Sequence, residues 1–597
     1  MTTIKTSPFP ATFYVANTME IFERLAWYGI YTLLASYIMT PTAQGGLGLG
    51  NSERGLIMGV VPFFLYLFPV ISGALADRFG YRKMFLLSFI LMAPSYYLLG
   101  YATDLGSFIS IFMLIALGAG IFKPVVIATI SRTTDSSNRG LGFGIFYMMV
   151  NIGGFLGPVL APIIQKNYGW QYVFIFAALW VSINFIPALF FYREPERQTN
   201  NKPLRQVFAE MQQVLGNARL ALLVVPLLFL LVAFYAGLLA SGKVTLIVAA
   251  TLILLALLWD LVLAYQQTGA KQAASPWYRQ KMQLGNKAFM IYLLIITGFW
   301  TVYLQLFITL PVYIRDFVDS SDLVRLLHQL SPWLHDSLTA VNLDTLAAEI
   351  TRLADKLAFA ELQNTRISHI AIREITTALV ALDVRVPVQE LQYAFVRINQ
   401  ADPLATARLS QEYARLWAQE YRQINPATLL SLDFLMIILF QVAISRFIGR
   451  FKPLPTLIAG TGIIALAMLA GGFAHGVIFG GLLIACSVIV FAVGEMTASP
   501  KSQEYVASFA PKDKAAMFMG YYFVSMALGN LFAGLLSGWL YQEIALDMAS
   551  PVLMWLIFAS LGLLTCFALY LFNRKLVTEI EQQQYQLIAE PETATGK

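Results

Sequence analysis

Apolar residues run through this chain in long unbroken stretches, not in alternation with polar ones. Fourteen such segments lie near 13–40, 53–76, 83–102, 106–131, 140–165, 170–192, 219–240, 243–265, 287–317, 427–449, 454–474, 477–500, 514–541 and 551–573. A helix needs roughly 20 apolar residues to cross a bilayer. Only helices and closed barrels satisfy their own backbone in hydrocarbon, and these runs are too long and too little alternating for barrel strands. The pattern predicts an all-α membrane protein of fourteen spans. One long stretch, 318–426, is polar instead. Within it DLVRLLHQL, LDTLAAEITRLADKLAFAEL, ISHIAIREITTALVAL and LATARLSQEYARLWAQEYRQI space their apolar residues at three and four. That spacing predicts amphipathic helices, gathered into a small bundle outside the membrane and seated on the bilayer surface.

Composition agrees with a lipid solvent. The chain is 58% hydrophobic and 12% charged, against about half and one quarter for a soluble globule. The net charge of +6 invites a nucleic-acid reading, but its distribution answers differently. With the N-terminus placed in the cytoplasm, the inner loops carry twenty Lys and Arg residues and the short outer loops only Arg54, Lys166 and Lys243. This positive-inside bias predicts an inner (plasma) membrane protein with both termini cytoplasmic, with the lipid bilayer as its surroundings and no nucleic-acid partner. The first residues lack a basic region, an apolar region and a cleavage site, so no cleavable signal peptide is expected. Cys486 and Cys566 fall in apolar runs and suggest neither a disulfide framework nor a metal site.

Charge inside the spans is the strongest chemical signal. Glu20, Glu23 and Arg24 sit in the first apolar segment, at a spacing that puts all three on one helix face. Charged groups there are expensive and mark function. Two carboxyls beside a fixed cation titrate apart and can pass a proton.

The residues Glu20-Ile-Phe-Glu23-Arg24-Leu-Ala-Trp27-Tyr28-Gly29 resemble the first-helix signature of the proton-dependent oligopeptide transporters, a family within the major facilitator superfamily. Further stretches agree in order: Tyr66-x-x-Pro69 with Gly73-Ala-Leu-Ala-Asp77-Arg78-Phe-Gly80; Gly-Ile-Phe-Lys123-Pro124; Phe146-Tyr147-Met-Met-Val-Asn151-Ile-Gly153; Phe299-Trp300 with Gln305; Asn425-Pro426; and Gly494-Glu495-Met-Thr-Ala-Ser499-Pro500. The resemblance implies a major facilitator fold with 12 core helices in two six-helix bundles and 2 extra helices between them. Its expected parts are 1–192 (first bundle), 193–286 (linkers and extra helices), 287–317 with 427–574 (second bundle), 318–426 (extracytoplasmic helical insertion) and 575–597 (cytoplasmic tail).

By that resemblance Glu20, Glu23, Arg24 and Lys123 would couple protons. Tyr28, Tyr31, Tyr66, Lys123, Asn151, Trp300, Asn425 and Glu495 would bind substrate, with Glu495 receiving its amino group. Asp77 and Arg78 would serve the inner gate. The family's pattern breaks at Tyr31, where an arginine usually helps hold a peptide carboxylate, and at Tyr303 and Leu304, where acids usually precede the glutamine. An arginine and its acidic partner are replaced together, and Asp433 in the eighth core helix is expected to supply a gating charge. His328, His335 and His369 in the insertion read as surface histidines, and no metal site is expected. No P-loop or nucleophile elbow marks an enzyme.

The function expected is import of di- or tripeptides or peptide-like solutes with protons, no cofactor beyond the proton itself being implied. Two other readings stand beside it. One is the same fold carrying an anion, a modified amino acid or a peptide-derived compound. The other is a receptor or assembly factor binding an extracytoplasmic partner through 318–426.

Overall fold

In a computed structural model of the chain, the described residues are 9–69, 72, 75, 76, 79–134, 139–195, 218–235, 242–266, 282, 287–360, 367–509 and 515–577. Asp77 and Arg78, expected at the inner gate, lie outside them.

The first half is built from α1 (Ala11–Met39), α2 (Asn51–Leu67), α3 (Tyr81–Leu99), α4 (Leu105–Arg132), α5 (Arg139–Tyr168) and α6 (Trp170–Ile183). Two further helices follow, α7 (Ala218–Tyr235) and α8 (Gly242–Gln266). The second half begins with α9 (Lys287–Tyr303), which continues through Gln305–Ile308 and Leu310–Phe317. It resumes after the insertion with α16 (Pro426–Ile448), α17 (Pro453–Gly472), α18 (Gly480–Phe509), α19 (Ala515–Leu540) and α20 (Pro551–Phe572). Each of the fourteen apolar segments falls on one of these helices. Ten helices among the described residues are long and apolar enough to cross a membrane.

Within the first half α1 packs on α5 and α6, and α3 on α4; within the second, α17 packs on α18 and α20, and α9 on α19. The halves meet along α2 with α19 and along α5 with α16. At the first of these seams the helix axes approach through glycine. A Cβ on Gly534 would lie 2.4 Å from the Gly55 carbonyl oxygen, and one on Gly55 would lie 2.4 Å from that of Gly534. Small residues permit such backbone contact between helices in lipid. By contrast α8 turns outward. Its window Val244–Leu263 has a mean hydropathy of 2.7 and only 6% of it is buried, which is the composition of a helix solvated by lipid, tied to α7 by the Arg219–Asp260 ion pair.

The polar stretch folds as six helices: α10 (Ser321–Leu330), α11 (Pro332–Leu338), α12 (Leu343–Ala360), α13 (His369–Val380), α14 (Val388–Asn399) and α15 (Pro403–Glu420). Their apolar faces make a core of their own around Leu346, Ile350, Leu379, Phe395 and Trp417, separate from the membrane core. This bundle is fastened to both halves at one end of the molecule. On the second half, Arg385 donates to the carbonyls of Arg315 and Asp316, and the Leu482 N–H donates to Asp322 at 2.8 Å. On the first half, Lys166 pairs with Asp383 at 2.9 Å, and Gln44 donates to Glu349 at 3.0 Å. Asp383 holds this position with a left-handed backbone, φ 58°, a conformation that Asp tolerates better than most side chains.

Candidate functional site

α1 carries its charged residues on the face turned inward. Glu20 and Arg24 are each 4% exposed and Glu23 is fully buried. Arg24 lies 3.2 Å from Glu20 and is hydrogen-bonded to Glu23. One carboxyl oxygen of Glu20 and one of Glu23 receive no hydrogen bond from any described residue. The cluster is thus a cation shared by two acids, with acceptor capacity left over. Gly153 of α5 lets the neighbouring helix close on it, since a Cβ there would stand 2.6 Å from Cβ of Arg24. Lys123, half-buried on α4, holds its ammonium 4.3 Å from the centre of the Tyr66 ring, a cation–π contact, and lies within electrostatic reach of Glu20.

Across the seam, α18 presents Glu495, 6% exposed. Its Oε1 accepts from the Tyr303 hydroxyl at 3.0 Å. Asp433 of α16 is fully buried and neighbours Glu495. Both oxygens of Asp433 and Oε2 of Glu495 lack a donor among the described residues. The structure therefore brings Asp433 into the centre beside Glu495, and not to the mouth of the pathway.

Aromatic rings separate the two charged groups. Tyr28 meets Phe434 edge-on with centroids 4.7 Å apart, Phe307 stands 5.9 Å from Phe434, and Tyr31 is stacked on Trp27 at 5.2 Å. Tyr31 thus fills its position with an aromatic stack and a hydroxyl that finds no partner among the described residues. Trp300 is buried against Tyr303, with centroids 5.2 Å apart. Phe307, Phe434 and Tyr147, which is an electrostatic neighbour of Tyr28, Asp433 and Glu495, complete the lining. Sequence reasoning gave these three no role, because an aromatic in an apolar run reads the same whether it faces lipid or substrate.

Two of the expected substrate contacts are otherwise engaged. Asn151 donates one amide N–H to the Tyr147 carbonyl of its own helix at 2.8 Å, leaving its oxygen and its second N–H to the site. Asn425 is the N-cap of α16: its Oδ1 accepts from the Ala427 N–H at 3.0 Å and its Nδ2 donates to Asp383 at 3.1 Å. This spends both ends of the amide at the insertion, so the substrate role expected for Asn425 is corrected to a helix cap. Asn followed by Pro at the first helical position is itself a cap signature.

A residue the motifs did not flag closes the insertion-bearing end. α9 is broken at Leu304 and Thr309, where Pro311 removes a backbone donor. Arg54 of α2, fully buried, donates to the Ile308 carbonyl there at 2.6 Å and stands 5.3 Å from the centre of the Tyr541 ring. Tyr541 in turn donates to Asp316 at 2.7 Å. An arginine in an apolar run was the available signal, and on charge bias it had counted only as an outer-loop residue. It links the two halves at the end where the family's ion pair is replaced by Tyr31 and Tyr303.

Two helical halves that bury charge clusters on either side of their seam, one of acids paired with bases and the other, among the described residues, of acids alone, have the make-up of a membrane transporter. The Major Facilitator Superfamily model matches residues 19–329 and 416–586, more than half of the chain, and the chain belongs to that family. The resemblance to peptide transporters extends beyond the motifs. Over 162 residues the chain is 31% identical to a peptide transporter of Yersinia enterocolitica, covering 26% of this chain and 31% of the relative. Over 170 residues it is 31% identical to an uncharacterized transporter of Bacillus subtilis, covering 28% and 35%. The matched segments span about a third of the relatives' length. Among solved structures, a POT family transporter in complex with 5-aminolevulinic acid superposes with a TM-score of 0.58 at 17% identity, over 95% of this chain and 96% of that one. A nucleoside transporter does so at 0.52 and 12%, over 94% and 99%. These likenesses show the fold, and the fold alone chooses no solute.

Proposed function

We propose that this transporter imports small peptides or peptide-like solutes together with protons, by alternating access between the two halves. The observation that carries the reading is the buried Glu20–Arg24–Glu23 cluster facing the Glu495 side across the aromatic lining. Protonation of Glu20 or Glu23 loosens their hold on Arg24. Arg24 or Lys123 then takes the solute's anionic end while Glu495 takes its amino end, and release on the far side restores the ion pairs. The sequence likeness to the peptide transporter of Yersinia enterocolitica supports the solute class. The Lys and Arg asymmetry supports placement in the cytoplasmic membrane with both termini inside, and Asp77 and Arg78 are proposed for the inner gate.

An uncoupler should abolish uptake into cells or into right-side-out vesicles held more acidic outside than inside. Glu23→Gln should abolish gradient-driven accumulation while leaving counterflow exchange intact. Uptake that survives both would overturn the mechanism.

A second reading draws on the apolar residues that the insertion exposes, Trp333 at 73% and Ile370 at 83%. There 318–426 docks a partner and transport is secondary. Deleting 318–424 separates the two, since a transporter retains uptake without its insertion and a receptor loses partner binding.

A further inference from the structure

The centre of the molecule is not electrically symmetric. On the first half two acids, Glu20 and Glu23, are matched by two bases, Arg24 and Lys123. On the second half Asp433 and Glu495 stand together, and no Lys or Arg among the described residues pairs with either. Their other polar neighbours are tyrosines: Tyr303 from α9, Tyr147 from α5 and, facing Glu495, Tyr28 from α1. Tyr303 satisfies one oxygen of Glu495. Three carboxyl oxygens remain without a donor, in a site where Asp433 is fully buried. Two carboxyls held together away from water, within hydrogen-bonding reach of each other, repel strongly when both are ionised unless they share a proton or a positive group stands between them. A cationic solute group can take the place of that proton. Phe434, the neighbour of Asp433 in the chain, packs with Tyr28 and Phe307, and aromatic rings attract ammonium and guanidinium groups.

The anion side of the site is correspondingly poor. Arg24 is held by two acids, and Tyr31 offers a neutral hydroxyl. Lys123 is left as the principal partner for a carboxylate. A zwitterionic dipeptide brings one ammonium to two acids and one carboxylate to this thin basic side. A solute with a second cationic group matches the arrangement better.

We propose that Asp433 and Glu495 form a cation subsite that makes the transporter select solutes of net positive charge, such as peptides bearing a lysine or arginine side chain. The inference rests on the transport reading above and adds the charge of the solute to it. Asp433 is then a specificity-determining residue.

The test uses the full-length protein in proteoliposomes at clamped membrane potential, with Ala-Ala, Ala-Lys and Ala-Glu competing for uptake. Wild type should prefer Ala-Lys to Ala-Ala by about tenfold, equivalent to one well-placed charge contact, and should take Ala-Glu least. Asp433→Asn should shrink the preference, read as the ratio of Ala-Lys to Ala-Ala uptake at whatever absolute rate remains, to about threefold or less, and Asp433→Glu should restore it. Equal handling of Ala-Ala and Ala-Lys by wild type overturns the proposal even if no variant folds. So does an Asp433→Asn protein that keeps the preference but moves fewer protons per solute, since the pair would then be a proton site. If wild type carries no peptide, the transport reading fails by itself, and thermal shift with cadaverine against n-pentylamine still decides the subsite. Stronger stabilisation by the diamine, lost in Asp433→Asn, supports it; equal shifts overturn it.

Discussion

At the scale of single residues, Arg24 holds the first half's acids in place. Glu20 and Glu23 are buried on the same helix face, and both lean on this one guanidinium. Removing one partner of a buried ionic group leaves charge uncompensated, which costs about 3–5 kcal/mol. Arg24→Leu should therefore lower the melting temperature of the detergent-purified protein far more than Glu20→Gln, which leaves the cation one acid. Comparable losses in the two variants would show that the acids do not depend on Arg24. These three residues were legible in the sequence because charge in an apolar run is conspicuous, and Lys123 was legible for the same reason. Phe307, Phe434 and Tyr147 were not, since position around the helix axis decides what an aromatic faces and the runs are apolar all round. Asp433 was found as a charge, but its companion was not, because α16 and α18 are joined in space and not in sequence.

At the scale of elements, length and apolarity located the helices and said little about how they are joined. Each apolar segment falls on a helix, whereas the breaks in α9 at Leu304 and Thr309 were not anticipated. There Gln305 donates to the Ala533 carbonyl and Thr309 to the Ser537 hydroxyl, both on α19, so side chains of another element replace the helix's own regularity. In the insertion, spacing at three and four showed four helical stretches. It missed α11, whose 7 residues offer too few turns for a period to stand out, and α14, which is as long as the recognised α13. The α2–α19 seam is a contact that no local pattern discloses, and it makes a prediction. Gly534→Leu must push the halves apart at the insertion-bearing end, because its side chain would enter the backbone of Gly55 and Gly59. Overpacking of this kind costs about 1–3 kcal/mol or more, and it penalises the closed end alone. A single reporter cysteine on the second half near that end should become more accessible to a membrane-impermeant maleimide in the variant. Unchanged labelling would mean that the seam tolerates separation without opening.

For the whole molecule the question is how an inserted bundle with its own core coexists with halves that move under the proposed alternating access. The insertion leaves the second half at Phe317 and rejoins it at Pro426, and the bonds of Arg385 to the Arg315 and Asp316 carbonyls and of the Leu482 N–H to Asp322 repeat that covalent attachment. Its bonds to the first half have no covalent link beside them: Lys166 with Asp383, Gln44 with Glu349 and the Ala378 carbonyl, and the Asn342 amide on the Lys166 carbonyl. A body joined twice by the chain to one half and by side chains to the other moves with the first and lets go of the second. Opening the insertion-bearing end therefore requires Lys166 and Asp383 to part. Their side chains are 11% and 9% exposed, so the pair is shielded from solvent screening that weakens surface ion pairs. A double-mutant cycle on Lys166→Ala and Asp383→Ala should yield a coupling of about 0.5–3 kcal/mol in thermal stability, with each single variant opening that end more readily. Joining the two positions covalently, as a Lys166→Cys, Asp383→Cys disulfide, should stop uptake, and reduction should restore it. Full uptake by the cross-linked protein would place the moving boundary between the insertion and the second half, and the hydrogen bonds of Arg385 and Asp322 would then be the ones that break in each cycle.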